Sequence, residues 1–167
     1  MSVESPGVLD TFFAQLPLYQ ALGDQIHTRF TPLRSYEGFA TDLSERAGSD
    51  TKFEEEKEKK ELKEGLFYIV TSSVEFDPAL MTQQDFLKAW AEEAKVAVGA
   101  KKLGTLLDLW KVVAEKKVAI CIQDPAELDR MSLDLPIAKK TGIIVRQQCK
   151  SIRPIGEWAE DLKKLAE

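Results

Sequence analysis

The apolar pattern is easiest to read over residues 66–74 (LFYIVTSSV), a β-branched and aromatic stretch that predicts a strand. Its opening residues are apolar on both faces, which places it inside a sheet covered on both sides. Asp77-Pro78 marks a turn, and Thr82, with Asp85 three residues on, resembles a capping box that opens a helix. The helix is predicted to run to about residue 98, with Phe86, Ala89, Trp90, Ala94 and Ala97 as its apolar stripe and Gly99 and Gly104 ending it. Residues 105–113 (TLLDLWKVV) and 117–122 (KVAICI) read as two strands joined by a tight turn at Ala114-Glu115-Lys116. Pro125 fits the first turn of a short helix over 126–133. Residues 142–149 (GIIVRQQC) are a final strand, and 155–166 an amphipathic C-terminal helix.

Strand, helix, strand, strand, helix, strand is the order of an α+β fold of the ferredoxin-like, split β-α-β type, an antiparallel sheet with both helices on one face. The other face, apolar in places, predicts a homo-oligomer formed through the open sheet.

Before this domain the chain holds two other pieces. Residues 52–64 read KFEEEKEKKELKE, with six acidic and five basic residues and only Phe53 and Leu62 apolar. Glu55 with Lys59 and Glu56 with Lys60 are spaced to pair along a solvated helix. With the Ala-Gly-Ser-Asp loop before it, residues 45–64 are expected to be a non-catalytic linker. Further upstream, residues 9–18 (LDTFFAQLPL) align with 128–137 (LDRMSLDLPI), and the same offset pairs Gly23 with Gly142, Ile26 with Val145 and Phe30 with Cys149. Residues 1–44 are therefore expected to be a helix-strand unit repeating the end of the main domain, residues 65–167.

Charge and composition narrow the chemistry. Among 167 residues, 23 Lys and Arg stand against 28 Asp and Glu, and no basic stripe suits nucleic acid. No apolar run approaches the roughly 20 residues needed to span a bilayer, and no secretory signal pattern opens the chain. Cys121 and Cys149 match no zinc spacing and are expected to be buried, inert thiols in a cytoplasmic protein. One histidine, His27, excludes multi-histidine metal sites; in its alternating stretch it reads as a surface or interface residue. Without a glycine-rich phosphate loop or metal-ligand set, no cofactor and no metal is expected.

Carboxylates are the remaining candidates. At about 100° per residue, Glu93 falls within about 20° of Phe86 on the helical wheel, while Glu92 turns about 120° away. A carboxylate inside an apolar stripe is desolvated and its pKa raised, as a general base requires. Asp108 alternates with Leu106, Trp110 and Val112, a polar residue on an apolar strand face that would be a ligand contact or half of an ion pair. Tyr68 can donate a hydrogen bond from the first strand, and Trp90 and Trp110 are core positions that would also wall a pocket for a planar substrate.

Several of these stretches are similar to a known family. Leu66-Phe67-Tyr68-Ile69-Val70, Gly104-Thr105 followed by Leu109-Trp110-Lys111-Val112, Asp124-Pro125-Ala126-Glu127-Leu128 and the Leu135-Pro136-Ile137 corner resemble muconolactone delta-isomerase, a small dimeric α/β-barrel protein. The resemblance covers residues 65–153, and Gln15-Leu16-Pro17-Leu18 repeats the family's corner. It implies a cofactor-independent isomerase or cyclase that shifts a proton between carbons of a small, hydrophobic unsaturated lactone or carbonyl compound. It also implies an acidic residue at Glu93 and a basic one at Lys111, which would neutralise a substrate carboxylate. Asp108 departs from the family, which has histidine there. A second reading keeps the fold without the chemistry, as a non-catalytic small-molecule-binding or assembly module.

Overall fold

The computed structural model describes residues 6–22, 25–27, 29–55 and 66–166. The chain divides into two compact units, Met1–Thr31 and Pro32–Glu167.

The first unit holds α1 (Pro6–Gln15) and α2 (Pro17–Leu22). Pro17 opens α2, where its missing N–H costs nothing. Phe13 gathers Phe12, Tyr19 and Phe30, at ring separations of 5.4, 5.0 and 5.5 Å. Only the first half of the expected helix-strand copy forms. The Leu-Pro corner leads into a second helix, and residues 25–27, 29 and 30 belong to no strand, with His27 exposed. Gly23, also part of that expectation, lies outside the described residues. Alternation alone cannot make a strand, because its backbone groups need a ladder, and the position beside the outer strand of the sheet is filled from a later segment.

That segment opens the second unit. In order come β1 (Leu33–Ser35), α3 (Tyr36–Arg46), β2 (Phe67–Phe76), α4 (Gln83–Leu103), β3 (Asp108–Val112), β4 (Lys117–Ile122), α5 (Pro125–Asp134), β5 (Ile143–Ile152) and α6 (Ile155–Ala166). The unit is α+β, an open five-stranded antiparallel sheet in the order β1-β3-β4-β2-β5. β1 and α3 thus belong to the sheet domain, not to a unit ending at residue 44. The Ser35 hydroxyl caps α3 by accepting from the Gly38 N–H at 3.2 Å. Tyr36, Ala40 and Leu43 then form a fully buried stripe.

Residues 47–55 also differ from a solvated linker. Phe53 packs against the core and its N–H donates to Thr41 Oγ1 at 3.0 Å, while Glu55 bonds the Ser35 hydroxyl. The remainder of the charged run, residues 56–64, lies outside the described residues.

α4 begins where cap chemistry puts it. Thr82 Oγ1 accepts from the Asp85 N–H at 3.1 Å and donates to Asp85 Oδ2 at 2.7 Å. The helix runs through Gly99, whose added Cβ would meet nothing within 4 Å, and stops at Gly104 with φ 83°. Helical Gly99 loses backbone entropy for no gain, whereas Gly104 occupies a left-handed position that a side chain resists. Gly99→Ala is therefore expected to raise, and Gly104→Ala to lower, the unfolding free energy by about 1 kcal/mol each, measured as opposite shifts of the urea midpoint.

The core lies between α3, α4 and one sheet face, where Val70, Val74, Leu109, Val118, Ile120 and Ile122 are all buried. On the opposite face Phe67, Val112, Ala119 and Cys121 are buried too, leaving Leu33 and Ile144 exposed at its two margins. Cys149 is exposed and Cys121 buried, so only one thiol is as enclosed as expected. Among the described residues, no helix is long and apolar enough to cross a membrane, and no group of three or more His, Cys, Asp and Glu side chains is placed to hold a metal ion.

Candidate active site

Glu93 sits where the wheel places it, on the buried face of α4 and only 7% exposed. Its Oε2 accepts from the Ile137 N–H at 3.2 Å, and Oε1 has no protein partner among the described residues. Burial pushes its carboxyl up to about 7, against the opposing pull of the Ile137 amide. Glu92, one residue earlier, is exposed.

Glu93 lines a small apolar cavity, about 50 Å³, between α4 and the sheet. Trp90, one turn below on α4, forms part of the wall, as do Leu106 and Leu109. Trp90 is fixed by an aromatic row: its ring lies 5.2 Å from Phe39 and 5.3 Å from Phe86, which stacks on Phe76 at 4.7 Å. Tyr36 enters from α3. Its phenol is pushed well above the ordinary tyrosine range by burial first and by the Glu93 charge second, with the Trp90 indole acting the other way. Tyr36 is therefore a neutral hydrogen-bond donor beside the carboxylate.

A polar line crosses the wall opposite. Ser132 Oγ donates to Gln147 Oε1 at 3.2 Å, and Gln147 Nε2 donates to Ser72 Oγ at 3.2 Å. Ser72 is 5% exposed and lines the cavity. Gln147, Leu135 and Val145 line both this cavity and an outer groove of about 310 Å³ between the 135–138 corner and β5. No lysine or arginine among the described residues lines either space.

Of the six residues singled out by sequence, the cavity brings together Glu93 and Trp90. Asp108 and Trp110 lie on the face opposite Leu109, away from the cavity. Leu106, expected to share that strand face, precedes β3, and the Thr105 and Leu106 N–H groups go to the Ala100 carbonyl at the end of α4. Asp108 instead pairs with Lys101 at 3.0 Å, and Lys101 reaches the buried Glu37 at 2.8 Å. Lys111 is committed to the β3–β4 turn: its ammonium donates to the Val112 carbonyl at 2.6 Å and to the Glu115 carbonyl, and lies 5.2 Å from the Phe39 ring centre. Burial, then the nearby Arg34 charge, lowers its pKa. Tyr68 packs against the core without lining the cavity.

Three polar lining residues, Tyr36, Ser72 and Gln147, are not picked out by the sequence. Tyr36 carries a signal, a Ser35 cap followed by the Tyr36, Ala40, Leu43 stripe. Ser72 and Gln147 carry none, because their meeting depends on the pairing of β2 with β5. Compared with protein-family models, curated proteins and solved structures, the chain matches none.

Proposed function

We propose that this domain is a cofactor-independent isomerase or cyclase that moves a proton between carbons of a small unsaturated carbonyl compound, with Glu93 as the base. The observation that carries the reading is a buried carboxylate with, among the described residues, one amide partner and no countercharge, and a pKa near 7, at the wall of an apolar cavity. Glu93 takes the proton next to the carbonyl, the electron pair moves into an enolate, and the same carboxyl returns the proton to the distal carbon. The neutral Tyr36 phenol supplies a donor for the enolate oxygen. The strand order β3-β4-β2-β5, with α4 crossing from β2 to β3, supports a ferredoxin-like, split β-α-β ancestry for this part of the chain.

The small size of the cavity favours a second reading, a binding module, and one experiment separates the two. Small butenolides are incubated with the protein in D2O and followed by NMR. Deuterium uptake at the carbons flanking the carbonyl, or migration of the double bond, is expected with the native chain and absent with Glu93→Gln. Binding without exchange in the native chain would favour the module.

A further inference from the structure

We infer that the cavity selects an uncharged carbonyl compound whose oxygen is received by the Ser72 hydroxyl, and that the compound enters from the outer groove past Leu135 and Val145. The inference rests on the reading of Glu93 as the base and names the substrate class that site accepts.

A hydroxyl has one proton and two lone pairs. In Ser72 one lone pair takes the Gln147 amide, and no group among the described residues accepts its proton. Ser72 is therefore oriented from behind and left with a donor for a ligand oxygen. Gln147 is in turn held by Ser132, which makes it a positioning residue. Ser132 lines the groove, Gln147 both spaces and Ser72 the cavity, so a ligand passing Leu135 and Val145 enters the cavity that Ser72 and Glu93 both line.

Space and charge then set the class. About 50 Å³ holds a few waters at most, so a five-membered ring must straddle the cavity and the groove. An anionic substituent would be buried beside the Glu93 carboxylate with no cation among the described residues lining either space. Lys111, the cation the family resemblance offers for a substrate carboxylate, is engaged by the carbonyls of the β3–β4 turn.

Two probes sharing one ring test this: 5-methylfuran-2(5H)-one and the same ring bearing a carboxymethyl group. Their affinities for the full chain are measured by NMR titration near pH 8. The neutral ring is expected to bind at least about tenfold more tightly. Ser72→Ala should weaken the neutral ring about threefold to tenfold, the range for one neutral hydrogen bond, and Ser72→Thr, which keeps the hydroxyl, should restore it. Gln147→Leu should weaken it in the same direction, raising KM more than it lowers kcat, whereas Ser73→Ala, on the other face, should change nothing. Equal or tighter binding of the carboxymethyl ring, no binding of either ring, or a neutral-ring affinity indifferent to Ser72→Ala would overturn the inference. If the neutral ring binds as expected but exchanges no proton, the role of Glu93 fails and the Ser72 site stands. If the carboxymethyl ring turns over faster than the neutral one, the Ser72 inference fails and Glu93 stands.

Discussion

Glu93→Gln is expected to melt higher than the native chain near pH 8 and to lose that advantage near pH 4.5. The carboxyl rises from 4.5 to about 7 because burial disfavours its charge. Between those values the unfolded chain has released a proton that the folded chain still holds, so stability falls as pH climbs through the window. A shift of that size corresponds to about 3 kcal/mol, fully felt above the folded pKa. The amide cannot ionise and its oxygen can still accept from Ile137, so the variant escapes the penalty. In melting temperature this is about 5–10 °C for a domain of this size, read by calorimetry at both pH values. Turnover should move oppositely, falling about 10²–10⁴-fold on loss of a general base. Glu92→Gln, with the same change of charge at an exposed position, should shift neither quantity. Equal melting of Glu93→Gln and the native chain at pH 8 would mean that the carboxylate is not enclosed as described.

The other large effect belongs to Lys101. Glu37 is 2% exposed, and the Lys101 ammonium 2.8 Å away is the charge that compensates it. Lys101→Met leaves a buried carboxylate without that compensation and is expected to cost about 3–5 kcal/mol. Adding Glu37→Met removes the orphaned charge and should recover most of the loss, because two apolar side chains replace an ion pair at little net cost. Asp108 also loses its partner, but its side chain is 34% exposed and water takes over. Urea unfolding of the two single variants and the double variant checks this, and a double variant as unstable as Lys101→Met would refute it.

Legibility in the sequence follows how local each determinant is. β4 is read to the residue because KVAICI is Lys117 followed by an unbroken apolar run, with polar turns on both sides. The start of α4 is equally plain, since a cap involves only Thr82 and its next three residues. Its end is less plain: Gly99 costs the helix only about 1 kcal/mol, which Ala100, Lys101 and Lys102 offset before Gly104 stops it. Glu93 is legible because a helical wheel is a local construction. Asp108 is not, because alternation says which residues share a strand face but not which face meets the helix. α3 is hidden by the likeness of residues 9–18 to 128–137, which draws residues 33–44 into the wrong unit. The Gln147–Ser72 bond spans 75 residues, and nothing short of the β2–β5 register could announce it.

The position of β5 bears on how the cavity exchanges its contents. Among the described residues β5 pairs along its ten residues with β2 alone, so it is a rim of the sheet, and Val145 and Gln147 make the same strand a wall of the cavity. A wall fastened along one side can swing on that side without breaking the core, because edge pairing opens at lower free energy than central strands. Passage to Glu93 then needs no hinged flap: the strand's own breathing sets the rate. Ligand uptake should accordingly track the amide exchange of β5, while β4, at the centre of the sheet, stays closed.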